Sequence, residues 1–280
     1  MKNESLGGKM NSPLTSEMLV NSFVIGNQDE PKVATLADGS YYIVWTSQDQ
    51  DGDQAGIFAQ HFSAQGERIG APVQVNSTAT DIQQNASIAA TEDGGFVVVW
   101  QARNQDNPGD FDFGVIGQRF SADGTKLGDE FIVNSVNTGA TQFDPEVAAL
   151  PGGGFAVTYT DDLGDGSIDG IRVRFYDASG TPTGDDIQVN TETGSNQSEP
   201  AIATIQPGAD ANDLSGGGVV VVWTSPVGDG SSNGVFGQIY AADGTTVGTE
   251  FQINTTTANS QSDASVTGLA GGRFVVVWED

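Results

Sequence analysis

The sequence has no cysteine, one histidine, and only 10 Lys and Arg against 37 Asp and Glu in 280 residues. Without cysteine there is no disulfide framework and no thiolate zinc site. The lone histidine, His61, stands in a strand pattern where other copies of the same pattern have arginine or isoleucine. It is therefore read as a surface strand residue, and no Ser-His-Asp arrangement can be built on it. The formal net charge of −27 excludes the basic surface that neutralises nucleic-acid phosphates. It also sets the chain against an anionic lipid surface. Long apolar runs are missing: the stretch from Leu14 to Val24 is broken by Thr, Ser, Glu and Asn. Neither a signal peptide nor a membrane span is expected. A helical 3.6-residue stripe is absent throughout.

What is present is a repeat. Val44-Trp45, Val99-Trp100, Val222-Trp223 and Val277-Trp278 recur with Thr158-Tyr159 between them, at spacings of 55, 59, 64 and 55 residues. A Gln-x-x-Pro element precedes three of these, at Gln28–Pro31, Gln142–Pro145 and Gln197–Pro200; Gln83 and Gln261 keep the Gln and have Ala86 and Ala264 in place of Pro. A later strand reads Gln60-His61-Phe62, Gln118-Arg119-Phe120, Arg174-Phe175 and Gln238-Ile239-Tyr240. Each copy closes on Val75-Asn76, Val133-Asn134, Val189-Asn190 or Ile253-Asn254. Landmarks repeating in fixed order at this period mark a repeat architecture.

Each copy reads as four short strands; in the second they are predicted at 87–90, 96–101, 114–120 and 130–133. Asp93-Gly94 and Asp123-Gly124 supply the tight turns between them. Four antiparallel strands in about 55 residues match one blade of a β-propeller, and a blade must stack on neighbours to bury its faces. The Trp of each copy is expected to fill the gap between blades, worth about 2–3 kcal/mol per ring. The domain reading is a disordered tail over 1–16 and one all-β propeller over 17–280. Its units span about 22–76, 77–134, 135–190 and 191–254. A fifth, split or incomplete unit joins 255–280 to 17–21, because Glu17-Met18-Leu19-Val20-Asn21 matches Glu250-Phe251-Gln252-Ile253-Asn254.

The set Gln-x-x-Pro, Gly-Gly-Phe-Val-Val-Val-Trp, Phe-Gly-x-x-Gly-Gln-Arg-Phe and Glu-Phe-x-Val-Asn resembles repeats of very large secreted bacterial proteins of the RTX or hemolysin-type calcium-binding class, adhesins among them. The resemblance implies type I export, a secreted or cell-surface location and calcium. The blades also look like those of sialidase-type propellers, although the Asp-box of that family is absent.

The loops after the Trp strands are the most acidic places. Asp49, Asp51 and Asp53 crowd the first, Asp106, Asp110 and Asp112 the second, and Asp161, Asp162, Asp165 and Asp169 the third; the fourth keeps Asp229. Carboxylates at alternate positions around glycine can close on calcium, a hard cation that takes six to eight oxygens. Asp49, Asp51, Asp53, Asp161, Asp162, Asp165 and Asp169 are therefore the candidate calcium ligands. The competing reading is a set of solvated turns. Gln60, Gln118 and Gln238 are expected to hydrogen-bond between strands or blades. Paired carboxylates can hydrolyse glycosides, but with 37 acids no pair stands out, and the likeness of the units favours repeated binding over one asymmetric centre.

The expectation is thus a non-enzymatic scaffold or adhesive module, calcium-stabilised, with glycan or a surface protein as partner. It would be a monomer or part of a longer chain, with no nucleic acid bound and no membrane insertion. The alternatives are a glycan-processing, sialidase-like propeller enzyme and an inert spacer.

Overall fold

The computed structural model describes residues 17–280 apart from 110, 136–138, 165, 167, 209–213, 215, 229 and 231. The described residues form eighteen strands and no helix, so no helix is long and apolar enough to cross a membrane.

Four sheets have four antiparallel strands each. Sheet one is β1 (Gln28–Thr35), β2 (Tyr41–Gln48), β3 (Ala55–Phe62) and β4 (Arg68–Gln74), in that spatial order. Sheet two is β5 (Gln83–Ala90), β6 (Phe96–Arg103), β7 (Phe113–Phe120) and β8 (Lys126–Ile132). Sheet three is β9 (Gln142–Ala149), β10 (Phe155–Asp161), β11 (Gly170–Tyr176) and the two-residue β12 (Ile187–Gln188). Sheet four is β13 (Ser198–Ile205), β14 (Gly218–Ser225), β15 (Gly234–Ala241) and β16 (Thr246–Gln252). Sheet five has two described strands, β17 (Ser262–Leu269) and β18 (Arg273–Glu279). The four-strand reading of the second unit holds, with β5 and β8 starting four residues earlier than expected and β8 ending at Ile132.

The second strand of each complete sheet is largely apolar up to its Trp or Tyr because it is covered on both faces. Phe96 to Trp100 are all buried, and Val219 to Trp223 are fully so. The core lies between sheets, not within one. Tyr42 and Val44 of sheet one pack against Phe96, Val98 and Trp100 of sheet two. Val97 and Val99, on the opposite face of β6, pack against Phe155, Val157 and Tyr159 of sheet three. Trp223 meets Val173 and Ile171 across the next gap, and Val220 and Val222 meet Val266 and Val276 across the fourth. Trp100, Tyr159 and Trp223 thus each pack onto the preceding sheet, as expected of the repeated ring, whereas Trp278 is 37% exposed.

The sheets are also tied by one amide. Asn76 accepts the Ile57 N–H at 2.8 Å and donates to Gln83 Oε1, in the first strand of the next sheet, at 3.0 Å. Asn190 does the same with Ile171 (2.8 Å) and Gln197 (2.8 Å), and Asn254 with Val235 (2.9 Å) and Gln261 (2.9 Å). Asn134 accepts Val115 N–H at 2.9 Å and donates to Asp106. A buried asparagine amide bonded at both ends fixes the crossing between sheets. At three of the four crossings the Asn that closes one repeat and the Gln that opens the next are therefore two halves of one latch.

Candidate functional site

The first strand of every sheet carries a bulge at the same place. Pairing slips between Asp29 and Lys32, Gln84 and Ser87, Ser198 and Ala201, and Ser262 and Ser265, and β9 slips opposite Thr158–Thr160. One residue at each slip is left-handed: Glu30 (φ 54), Asn85 (53), Asp144 (52), Glu199 (55) and Asp263 (53). A bulge re-aims the side chain of its extra residue. Here all five bulged residues line a single cavity of about 530 Å³, together with Lys32, Glu146 and Ser265. The first strands of five sheets therefore surround one axis, and four of the five residues turned towards it are acids.

The ring is clamped between sheets. Glu30 Oε2 accepts from Thr46 Oγ1 and from the Asn85 N–H of the next sheet, both at 2.8 Å. Glu199 repeats this with Thr224 Oγ1 at 2.8 Å and the Asp263 N–H at 3.0 Å. In sheet two the Asn85 side chain lies between Glu30 and Gln101. Sheet three is the exception. Its acid is Asp144, one methylene shorter than Glu, and Thr160 Oγ1, the counterpart of Thr46 and Thr224, is buried without a partner. Nearby, Glu146 is held by Lys32 Nζ at 2.5 Å and Ser87 Oγ at 2.7 Å.

This inequality shows in the electrostatics. Burial raises the Asp144 pKa above its ordinary 3.8, and Glu199, Glu146 and Glu30 raise it further, with Lys32 opposing them. A half-buried carboxylic acid among carboxylates keeps its proton to higher pH, the pattern by which one acid becomes a proton donor beside others that stay ionised. None of the described residues lining the cavity is aromatic, so a ligand there meets carboxylates, hydroxyls and backbone instead of a stacking face.

The acidic loops behave differently. Asp49 adopts φ 61 and its N–H closes a turn onto Gln54 O at 2.8 Å. Asp51 Oδ2 accepts from Asn76 Nδ2 at 3.2 Å, and Asp53 accepts the Asp81 N–H at 3.0 Å. Asp161 is fully buried, taking Gln142 Nε2 at 3.0 Å and pairing with Arg172 Nε at 3.2 Å. The Asp162 N–H bonds Thr141 O at 2.9 Å and Asp169 O accepts from Gln197 N at 3.0 Å. Asp165, Asp110 and Asp229 lie outside the described residues. Among the described residues no three of His, Asp and Glu stand together so as to hold a metal. Of these carboxylates, Asp51 and Asp53 cap amide and backbone groups and Asp161 takes an amide and a guanidinium. Gln60, Gln118 and Gln238 bond fourth-strand carbonyls at 3.1–3.2 Å, as expected.

No family model and no curated protein matches the sequence. Solved structures do. An α-L-arabinanase of Penicillium chrysogenum, complexed with arabinobiose, superposes with a TM-score of 0.59 at 10% identity, over 91% of this chain and 76% of that one. The chain is a β-propeller. A GH93 α-L-arabinofuranosidase of Fusarium graminearum, with arabinobiose, gives 0.58 at 11% identity, over 89% of the propeller and 74% of that chain. A Hadza microbial sialidase gives 0.54 at 12% identity, covering 90% of the propeller and 52% of the sialidase. At these identities the likeness establishes the fold.

The expectation of a non-enzymatic scaffold or adhesive module is corrected by this finding, since the propellers that the chain resembles are glycan-processing enzymes. Its premise fails as well. The five blades are alike in the core but present Glu, Asn, Asp, Glu and Asp at the axis. Sequence reading passed over Glu30, Asp144, Glu199 and Asp263. The signal was the residue before the Pro or Ala of each Gln-x-x-Pro copy, which is acidic in four of five copies.

Proposed function

We propose that the propeller hydrolyses glycosidic bonds of a neutral glycan in its axial cavity, with Asp144 as general acid. The observation that carries this is the axial cavity itself, where bulges bring the half-buried Asp144, its pKa raised by burial and neighbouring acids, beside Glu30 and Glu199, each held by a threonine hydroxyl and a backbone N–H. Glycoside hydrolysis needs one carboxylic acid to protonate the leaving oxygen and one carboxylate to stabilise or attack the oxocarbenium-like carbon. Glu199 suits the second role: Thr224 and the Asp263 N–H fix its orientation, and it is the neighbouring charge with the largest effect on Asp144. Asp144 gives its proton to the glycosidic oxygen as the C–O bond breaks, Glu199 stabilises the positive charge on the sugar, and a water then adds to that carbon and returns a proton to the Asp144 carboxylate.

A cavity of about 530 Å³ suits one or two sugar rings. The only cation among its described lining residues, Lys32, is already paired with Glu146. A carboxylated sugar such as a sialoside would meet net negative charge, so neutral pentosides or hexosides are favoured. The resemblance to an arabinanase and an arabinofuranosidase, both complexed with arabinobiose, supports the pentoside.

The test is release of chromophore from aryl α-L-arabinofuranosides and of reducing ends from arabinan, against an aryl sialoside. Turnover of the neutral substrates, lost by roughly 10²–10⁴-fold in Asp144→Asn, is the expected result. A full panel of neutral aryl glycosides left uncleaved would overturn the proposal.

A further inference from the structure

The axial cavity continues between blades one and two. Glu30 lines it and also lines a second cavity of about 290 Å³, together with Gln54 and Gln84. Gln54 in turn lines a third cavity of about 370 Å³, with Thr80, Asp81, Arg103 and Asn104. Each cavity thus passes to the next through one shared residue, from the axis outward along the boundary of the two blades. An isolated bridge between Ala55 and Ile82 ties the blades along this line, and both residues line the middle cavity.

The outer cavity is bordered by an aromatic platform. Phe111 is 59% exposed and holds φ 64, a backbone region that a bulky side chain rarely enters. Arg103 keeps it there: its Nε donates to Phe111 O at 3.0 Å, and its guanidinium lies 5.7 Å from the centroid of the ring. The Asn104 N–H closes the same loop onto Asp112 O at 2.8 Å. A residue in a strained conformation persists where its surroundings hold it, and such positions gather at ligand sites. The platform is also tied to blade one. Asp81 stands 3.7 Å from Arg103 Nη1, and its N–H donates to Asp53 Oδ2 at 3.0 Å.

We propose that the three cavities hold one linear neutral glycan, its outer end stacked on Phe111 and its axial end placed by the hydrolytic reading above, on which this inference rests. Sugar hydroxyls donate and accept. The path answers them with amides at Gln54, Gln84 and Asn104, a hydroxyl at Thr80 and carboxylates at Asp53 and Asp81. The axial cavity has no stacking face among its described lining residues, and Phe111 supplies one at a distance. An anionic chain would meet Glu30, Asp53 and Asp81, with Arg103 already beside Asp81, so a neutral chain is selected. The substrate is therefore a polymer or long oligosaccharide, and sugars remote from the reacting bond supply binding energy that a short glycoside lacks.

The experiment compares arabinobiose with arabinohexaose, by calorimetric binding to the full-length Asp144→Asn protein and by kcat/KM with the unaltered protein. Hexaose is expected to bind at one molecule per chain and at least about tenfold more tightly than biose, and to be the better substrate by a similar factor. Phe111→Gly removes the ring at a φ that glycine favours, so its Tm should not fall, while the preference for hexaose should shrink at least about fivefold. Equal binding and equal kcat/KM for the two lengths overturn the extended path and leave the hydrolytic reading standing. Length-dependent binding that Phe111→Gly abolishes, with neither sugar cleaved, keeps the path and overturns hydrolysis. A length preference that survives Phe111→Gly overturns the path, as does binding of two hexaose molecules per chain, since axis and platform would then be separate sites. Absence of binding by either sugar overturns it too.

Discussion

Asp144 differs from Glu30 and Glu199 by one methylene, and that length decides what each acid does. The longer acids reach a threonine hydroxyl and the next backbone N–H; Asp144 leaves Thr160 unsatisfied and keeps its own proton more tightly. Two consequences follow for pH. Because the folded pKa lies above the ordinary 3.8, the folded state binds the extra proton, and this group's contribution to stability falls as pH rises through that interval. As a general acid it must be protonated, so kcat is expected to decline on the alkaline side with Asp144 as the titrating group, and Asp144→Asn should remove that limb from a kcat–pH profile. Asp144→Asn removes a charge repelled by three neighbours, so thermal melts at neutral pH should show a higher Tm together with the loss of activity. Asp144→Glu should extend the carboxylate to Thr160, gain about 1 kcal/mol in denaturant unfolding, and still lose turnover because the acid becomes clamped. At this scale the sequence was hard to read. Nothing in a string of 37 acids says which residue a bulge turns inward, since the bulge follows from strand register and the pKa from burial and from acids that include Glu199 and Glu30, far away along the chain.

The strand and the latch were more legible. Continuous apolar runs ending in Trp predicted strands buried on both faces, and β6 and β14 are such strands. Asn-to-Gln coupling was visible only as two separate landmarks, because the bond joins the end of one repeat to the start of the next. Its energetic weight can be measured. Asn76→Ala strands the Ile57 N–H and half of Gln83 in a buried site, and unfolding experiments should show a loss of about 2–3 kcal/mol. The Trp positions give a graded comparison. Trp100 is fully buried between blades and Trp278 is 37% exposed. Trp100→Ala should cost about 3–5 kcal/mol and Trp278→Ala less than about 1 kcal/mol, a contrast that chemical denaturation resolves. The third blade shows where local reading fails. Its fourth strand is only Ile187–Gln188, although Val189-Asn190 closes the repeat as usual, because the latch depends on the Asn and not on the length of the strand before it.

For the whole molecule, a net charge of −27 means that each added cation in solution relieves self-repulsion. Raising sodium chloride from about 0.05 M to about 0.5 M, where the Debye length falls severalfold, should raise Tm by several degrees. Calcium compared with sodium at equal ionic strength then tests the acidic loops on their own: a further, calcium-specific rise would assign them as ligands. The repeat period and the blade count were readable in the sequence, while the axial site was not, because the blades share their core residues and differ in the polar residue each presents at the axis. That last property makes the axis interchangeable. Five bulges with φ between 52 and 55 present their side chains from equivalent stations, on a backbone that does not depend on which polar residue stands there. Moving the aspartate from position 144 to position 85, with asparagine in return, would turn the catalytic pole one blade around the axis without redesigning a strand. The propeller is then less a fixed pocket than a dial, whose frame is set by the latches and whose setting is written in five letters.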